Sequence, residues 1–140
     1  MKMTPSAYLS FTREEWEQYR HDTLLHLTED DLKRLQGVNE IMSLDEIKDV
    51  FLPLSRLINM YVTETQSLHR VTTNFLFSSA KKVPYIIGIS GSVAVGKSTV
   101  SRVLQALLSR WENHPKVALV TTDGFLYSSA ELELRGLMNR

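Results

Sequence analysis

The feature that most constrains the fold is an eight-residue stretch at positions 91–98. It follows the spacing G-x-x-x-x-G-K-[ST], with Gly91 and Gly96 at the fixed glycine positions and Lys97 and Ser98 at the end. This spacing is typical of a phosphate-binding loop, because glycine lets several backbone N–H groups converge on one anion. Such a loop works between a strand and the start of a helix. The stretch therefore predicts a strand before Gly91 and a helix that begins at about Lys97.

The sequences on both sides of the loop agree with this prediction. Residues 83–89 form an apolar, β-branched run that is typical of a strand buried on both faces, and residues 116–122 form a second such run. Between them, apolar residues recur at helical spacing, at Val100, Val103, Leu104, Leu107, Leu108 and Trp111. Two strands joined by a helix form a right-handed βαβ unit. The predicted fold class is therefore α/β, with a parallel sheet that carries the loop.

The loop and the first helical turn are the predicted nucleotide site. Lys97 has the reach for the β- and γ-phosphates, the Ser98 hydroxyl suits Mg²⁺, and Thr99 is placed for the α-phosphate. The alternative is a chance match in a glycine-containing turn. The predicted binding residues are Gly91, Ser92, Val93, Ala94, Val95, Gly96, Lys97, Ser98 and Thr99.

Two further residues are candidates for the same site. Asp123 follows the second predicted strand, and ligands of open α/β sheets bind at the carboxyl ends of the strands. Its carboxylate would accept or orient the proton of a substrate hydroxyl, as phosphoryl transfer requires. The alternative for Asp123 is an ordinary Asp-Gly turn with Gly124. Arg102 is either a phosphate contact or a solvated helix charge.

The first half of the chain reads as helical. Capping signatures, a hydroxyl residue followed three positions later by an acid, predict four helix starts along the whole chain. They lie at Thr12–Glu15, Thr28–Asp31, Ser43–Glu46 and Ser128–Glu131. Pro53 interrupts the longest apolar stripe and predicts a break or kink there, followed by a helix to about residue 76. We therefore predict an N-terminal helical extension over residues 1–80 and the first part of a nucleotide-binding core over residues 81–140.

Composition excludes several classes of function. The 16 basic and 16 acidic residues cancel, so no overall field favours nucleic acid or an acidic membrane. The chain has no cysteine, which excludes disulfides, thiolate metal sites and a cysteine nucleophile. The four histidines are far apart and lack metal-ligand spacing. The absence of a signal peptide and of a long apolar run predicts a cytoplasmic protein without a membrane span.

Taken together, residues 84–99, 102–111 and 121–126 resemble bacterial type I pantothenate kinase, a P-loop kinase, and residues 52–57 and 135–138 extend the resemblance. The loop Gly-Ser-Val-Ala-Val-Gly-Lys-Ser is more specific than the general spacing. The resemblance implies phosphorylation of pantothenate to 4′-phosphopantothenate by ATP and Mg²⁺, the first step of coenzyme A synthesis. It implies Lys97 and Asp123 as catalytic residues, Ser98 on Mg²⁺, and Arg102 near the phosphates.

The resemblance also implies a cytoplasmic homodimer that coenzyme A inhibits. Members of that family are longer, so the chain is expected to be the N-terminal part of such a kinase and an incomplete domain. Two alternatives are a non-catalytic nucleotide-binding or dimerising fragment and a P-loop kinase similar to uridine kinase. A GTPase is disfavoured, because the chain contains no Asn-Lys-x-Asp motif for guanine.

Overall fold

The computed structural model of the 140-residue chain describes residues 7–37, 42–78, 83–112, 116–122 and 127–136, and every regular element in these ranges is helical. The α-helices are α1 (Arg13–Glu17), α2 (Glu29–Leu35), α3 (Leu44–Glu46), α4 (Leu52–Phe75), α5 (Lys97–Leu108) and α6 (Ser129–Leu134). A short 3₁₀ turn follows α1, and a π-helical turn over Ile47–Phe51 joins α3 to α4.

The predicted α/β fold with a parallel sheet is wrong for the described residues. Residues 83–89 and 116–122 contain no strand, and no backbone–backbone hydrogen bond is found for either described segment. Their apolar side chains are largely exposed, with Ile86 86% and Val120 72% accessible. An apolar run favours burial of its side chains, but it forms a β-strand only where a neighbouring strand hydrogen-bonds to its backbone. Parallel sheets normally contain several strands covered on both faces, and these two segments do not make one.

The predicted helix starts are confirmed. Thr12 and Thr28 each form a capping box, and the side chains of Ser43 and Ser128 each accept a hydrogen bond from the backbone N–H three residues later. These caps depend on residues within a single turn, so the local sequence specifies them completely. The helix after the loop also begins at Lys97 as predicted. It ends at Leu108, so Trp111 lies beyond it.

The break predicted at Pro53 takes the form of a change in helix type. Pro53 lies in the first turn of α4 and has no N–H to donate to the helical turn that precedes it. In the π turn before it, the Leu52 N–H donates to the Ile47 carbonyl, five residues back. The chain therefore continues as a helix through this region, and α4 runs to Phe75, close to the predicted end.

One hydrophobic core joins α5 to the N-terminal helices. Ile47 of the π turn and Val103 of α5 are both fully buried, with no accessible surface. The predicted boundary at residue 80 stays a prediction, and this core contains residues from both sides of it. Its other buried members are Leu27, Leu32, Phe51, Leu52, Leu104 and Leu107. In the described ranges, no helix is long and apolar enough to cross a membrane.

The cap of α2 makes stability depend on pH. The pKa of the Asp31 carboxyl lies below its ordinary value, because the backbone N–H and then the hydroxyl of Thr28 donate to it, at 3.0 and 2.8 Å. This contribution is present above the unfolded-state pKa and is lost as pH falls through the lowered folded-state pKa. Asp31→Asn should therefore lower the free energy of unfolding at neutral pH. In acid, where the wild-type carboxyl is protonated, this difference between the variant and the wild type should disappear. Urea unfolding from neutral pH to below the folded-state pKa of Asp31 measures the difference, with Asp30→Asn as the exposed control.

Candidate phosphate-binding site

The loop over residues 91–96 has the backbone conformation that its glycines predict. Gly96 lies in the left-handed region, with φ of 81° and ψ of 16°, and forms the N-cap of α5. Ala94 also has a positive φ, of 60°. At Gly91 an added Cβ would lie 3.1 Å from Cγ2 of Val95. The loop therefore closes on itself tightly at Gly91 and turns sharply into α5 at Gly96.

The N-terminus of α5 differs from the other helix starts that follow a loop. α1, α2, α3 and α6 each have a hydroxyl side chain that accepts a hydrogen bond from the first turn. In α5 the cap is Gly96, and no side chain caps the helix. The N–H groups of its first turn, which have no intrahelical acceptor in any helix, therefore also lack a capping side chain. They point out of the helix at its positive end and suit an anion such as phosphate.

Lys97 adds a positive charge to the same place. Its ammonium group donates to the backbone carbonyl of Ser92, so the side chain folds back over the loop instead of extending into solvent. The Ser98 side chain is exposed next to it. The structure thus brings the loop backbone, the lysine charge and the serine hydroxyl together. The roles predicted for these residues with ATP and Mg²⁺ stay predictions.

Thr99 and Arg102 form a hydrogen-bonded pair at the start of α5. Thr99 is buried, with 1% of its surface accessible. Its hydroxyl accepts a hydrogen bond of 3.2 Å from the Arg102 guanidinium, which is half-buried. The Arg102 Nε atom is buried and has no hydrogen-bond partner among the described residues. Arg102 is therefore held near the start of α5, and the structure leaves its phosphate contact as a prediction.

The remaining predicted site features are the Asp123 carboxylate and the Mg²⁺ site. Asp123 and Gly124 fall outside the described residues. Within the described ranges, no group of three or more His, Asp or Glu side chains is arranged to hold a metal ion. Ser98 would hold a Mg²⁺ ion together with ligands from the bound nucleotide and water.

Sequence patterns missed two glutamines that contact the segments before the loop and after α5. Gln66 of α4 donates to the Val83 carbonyl at 2.6 Å, and Gln105 of α5 donates to the Val117 carbonyl at 2.9 Å. Each glutamine thus holds one of the two segments predicted as strands. No motif marks them, because a side-chain bond between distant residues has no fixed spacing in sequence.

The conformation of Gly96 leads to a stability prediction. Gly96→Ala should lower the free energy of unfolding by about 1 to 2 kcal/mol, because an alanine is strained at a left-handed φ. Nothing lies within 4 Å of the added Cβ, so the cost comes from the backbone alone. Gly88→Ala is the matched control, since its Cβ also meets nothing within 4 Å and its φ is not left-handed. Equal urea-unfolding curves for both variants would contradict this assignment.

Curated relatives are similar to nearly the whole chain. A protein from Coxiella burnetii (strain Dugway 5J108-111) is 60% identical over 139 residues, which are 99% of this chain and 43% of the relative. A protein from Parvibaculum lavamentivorans is 58% identical over 135 residues, 96% of this chain and 41% of the relative. A third, from Brevibacillus brevis, is 58% identical over 135 residues, 96% of this chain and 42% of the relative. Each is named pantothenate kinase.

The resemblance to pantothenate kinase is thereby confirmed. The match is to the N-terminal part of these proteins, and the chain spans about 43% of the first relative's length. No family model matches the chain.

Proposed function

We propose that this chain acts in the ATP-dependent phosphorylation of pantothenate, giving 4′-phosphopantothenate in coenzyme A synthesis. The observation that carries the proposal is the uncapped N-terminus of α5, which follows a left-handed glycine and has the Lys97 ammonium folded over its loop. These are the groups that bind a polyphosphate. The name of the relatives supports pantothenate as the acceptor.

The proposed roles follow from the chemistry of each group. The backbone of residues 91–99 holds the phosphates, Arg102 adds a second positive charge, and Ser98 takes Mg²⁺. Lys97 neutralises charge on the γ-phosphoryl group as it transfers. The hydroxyl oxygen of pantothenate attacks the γ-phosphorus, the bond to ADP breaks, and Asp123 accepts the hydroxyl proton.

The finer features of the resemblance complete the proposal. They are a cytoplasmic location, a homodimer and inhibition by coenzyme A that competes for the phosphate site. The dimer is supported by the exposed apolar side chains along α4, which the described part of the chain leaves uncovered. They include Met60, Tyr61, Leu68, Val71 and Phe75, each more than half accessible. Contiguous exposed apolar surface of this kind is typical of protein interfaces.

The direct test is ADP release by the full chain with pantothenate, with uridine and with neither acceptor. The proposal expects release that requires pantothenate. Equal release with uridine would favour the alternative kinase. ATP binding by calorimetry without any turnover would instead support a non-catalytic nucleotide-binding chain, and the absence of ATP binding would overturn both.

A further inference from the structure

The segment that enters the phosphate-binding loop is held to the rest of the described chain by few contacts. Residues 83–91 make no backbone–backbone hydrogen bond among the described residues. Val83 and Ile86 are 52% and 86% accessible, so apolar packing holds them only weakly. The segment instead lines a cavity of about 870 Å³ that it shares with α4, α5 and residues 116–120. Among the described residues, the contact available to hold this segment is a side-chain hydrogen bond.

That contact is the side-chain amide of Gln66. Its Nε2 atom donates to the Val83 carbonyl at 2.6 Å. Gln66 is half-buried in the second half of α4. The first residue of α4, Leu52, is buried in the hydrophobic core. Within the described ranges, this is the hydrogen bond that joins the entering segment to the helical body. It therefore connects the N-terminal helices to the chain that leads to Gly91.

A second amide on the same face of α4 supports this role. Asn59 lies seven residues before Gln66, two helical turns away, and both line the cavity beside residues 83–89. The Oδ1 atom of Asn59 is buried and has no hydrogen-bond partner among the described residues. Buried acceptors of this kind are uncommon, and the backbone of the facing segment carries N–H groups that need an acceptor. This face of α4 therefore offers the segment both a donor and an acceptor.

We propose that Gln66 is a positioning residue for the phosphate-binding loop. By fixing the Val83 carbonyl it shortens the length of chain that is free to move before Gly91. The loop then loses less conformational freedom when its N–H groups gather around a phosphate. The inference rests on the proposed nucleotide binding and adds to it a residue from the helical half of the chain.

The test compares the wild type with three variants. Gln66→Met keeps the length and helix propensity of the side chain but removes the donor. Gln66→Glu keeps its shape and replaces the donor by an acceptor. Gln36→Met is the matched control, because the Gln36 amide makes the same kind of bond, 2.5 Å long, to the Met42 carbonyl. ATP affinity is measured by calorimetry, and the six glycine amides are followed by NMR in protein labelled with ¹⁵N-glycine.

Both Gln66 variants should weaken ATP binding by about two- to fivefold, because the loop that is no longer anchored loses more conformational freedom when it binds. They should also shift or broaden the Gly91 resonance in the nucleotide-free protein, while Gln36→Met does neither. Unchanged ATP affinity in the Gln66 variants, or an equal loss in Gln36→Met, would overturn the inference. If the wild type binds no ATP, the proposed function is overturned, but this result does not decide the role of Gln66. The Gly91 resonance then still decides whether Gln66 positions the loop.

Discussion

Lys97→Ala is expected to lower the turnover of the proposed pantothenate phosphorylation by about 10²- to 10³-fold, the usual cost of removing one group that stabilises transition-state charge. ATP affinity should fall by about tenfold, since a hydrogen bond to a charged group is lost. The physical reason is the position of the ammonium group, which lies over the loop and donates to the Ser92 carbonyl. Pantothenate-dependent ADP release and calorimetry measure the two effects.

Lys33→Ala provides the control for this charge change. Lys33 lies on α2, its side chain is 71% exposed, and its pairing with Asp30 at 3.5 Å is a weak surface contact. It removes the same positive charge from another part of the molecule, so ATP affinity and turnover should stay at the wild-type level. Turnover that survives Lys97→Ala would contradict the role assigned to the loop. So would an equal loss in both variants, because it would indicate a response to net charge alone.

Ile47→Ala is expected to destabilise the helices that share its core by about 3 kcal/mol, the typical cost of emptying a buried aliphatic site. Ile47 has no accessible surface and belongs to the same core as Val103, Leu104 and Leu107 of α5. A loss of this size should lower the unfolding midpoint by about 10 °C. Thermal unfolding followed by circular dichroism measures the shift.

Leu24→Ala is the control for Ile47→Ala, because Leu24 lies before α2 with 72% of its surface accessible and outside the exposed apolar face of α4. Its effect should stay within about 0.5 kcal/mol, as for most surface substitutions. Nucleotide binding tests the shared core further, since α5 carries the candidate site and packs on the residues that Ile47 contacts. If Ile47→Ala melts the N-terminal helices in a separate transition and leaves α5 intact, the single core is disproved.

Much of the local structure was predictable from sequence for one physical reason. A helix cap or a glycine turn depends on groups within about one helical turn of each other. Thr28 and Asp31 therefore predicted the start of α2, and Gly96 and Lys97 predicted the start of α5. The loop pattern also predicted which residues lie together at that end of α5. It did so because they are neighbours in sequence.

The sheet prediction failed for the opposite reason. Residues 83–89 and 116–122 have the apolar composition of buried strands. A strand also requires a hydrogen-bonded partner strand, and composition does not identify that partner. Among the described residues the two segments do not pair, and much of their apolar surface stays accessible. The hydrogen bond of Gln66 could not be predicted for the same reason, because its partner Val83 is 17 residues away.

By itself, the sequence determined the helix starts, the conformation expected at Gly96 and the chemistry of the loop, because these depend on adjacent residues. Only the tertiary structure decided what covers α5. Its apolar face packs on Leu32, Ile47 and Phe51 of the N-terminal helices. It also decided that a glutamine amide of α4 holds the chain entering the loop. Both outcomes depend on contacts between residues far apart in sequence, which local patterns do not encode.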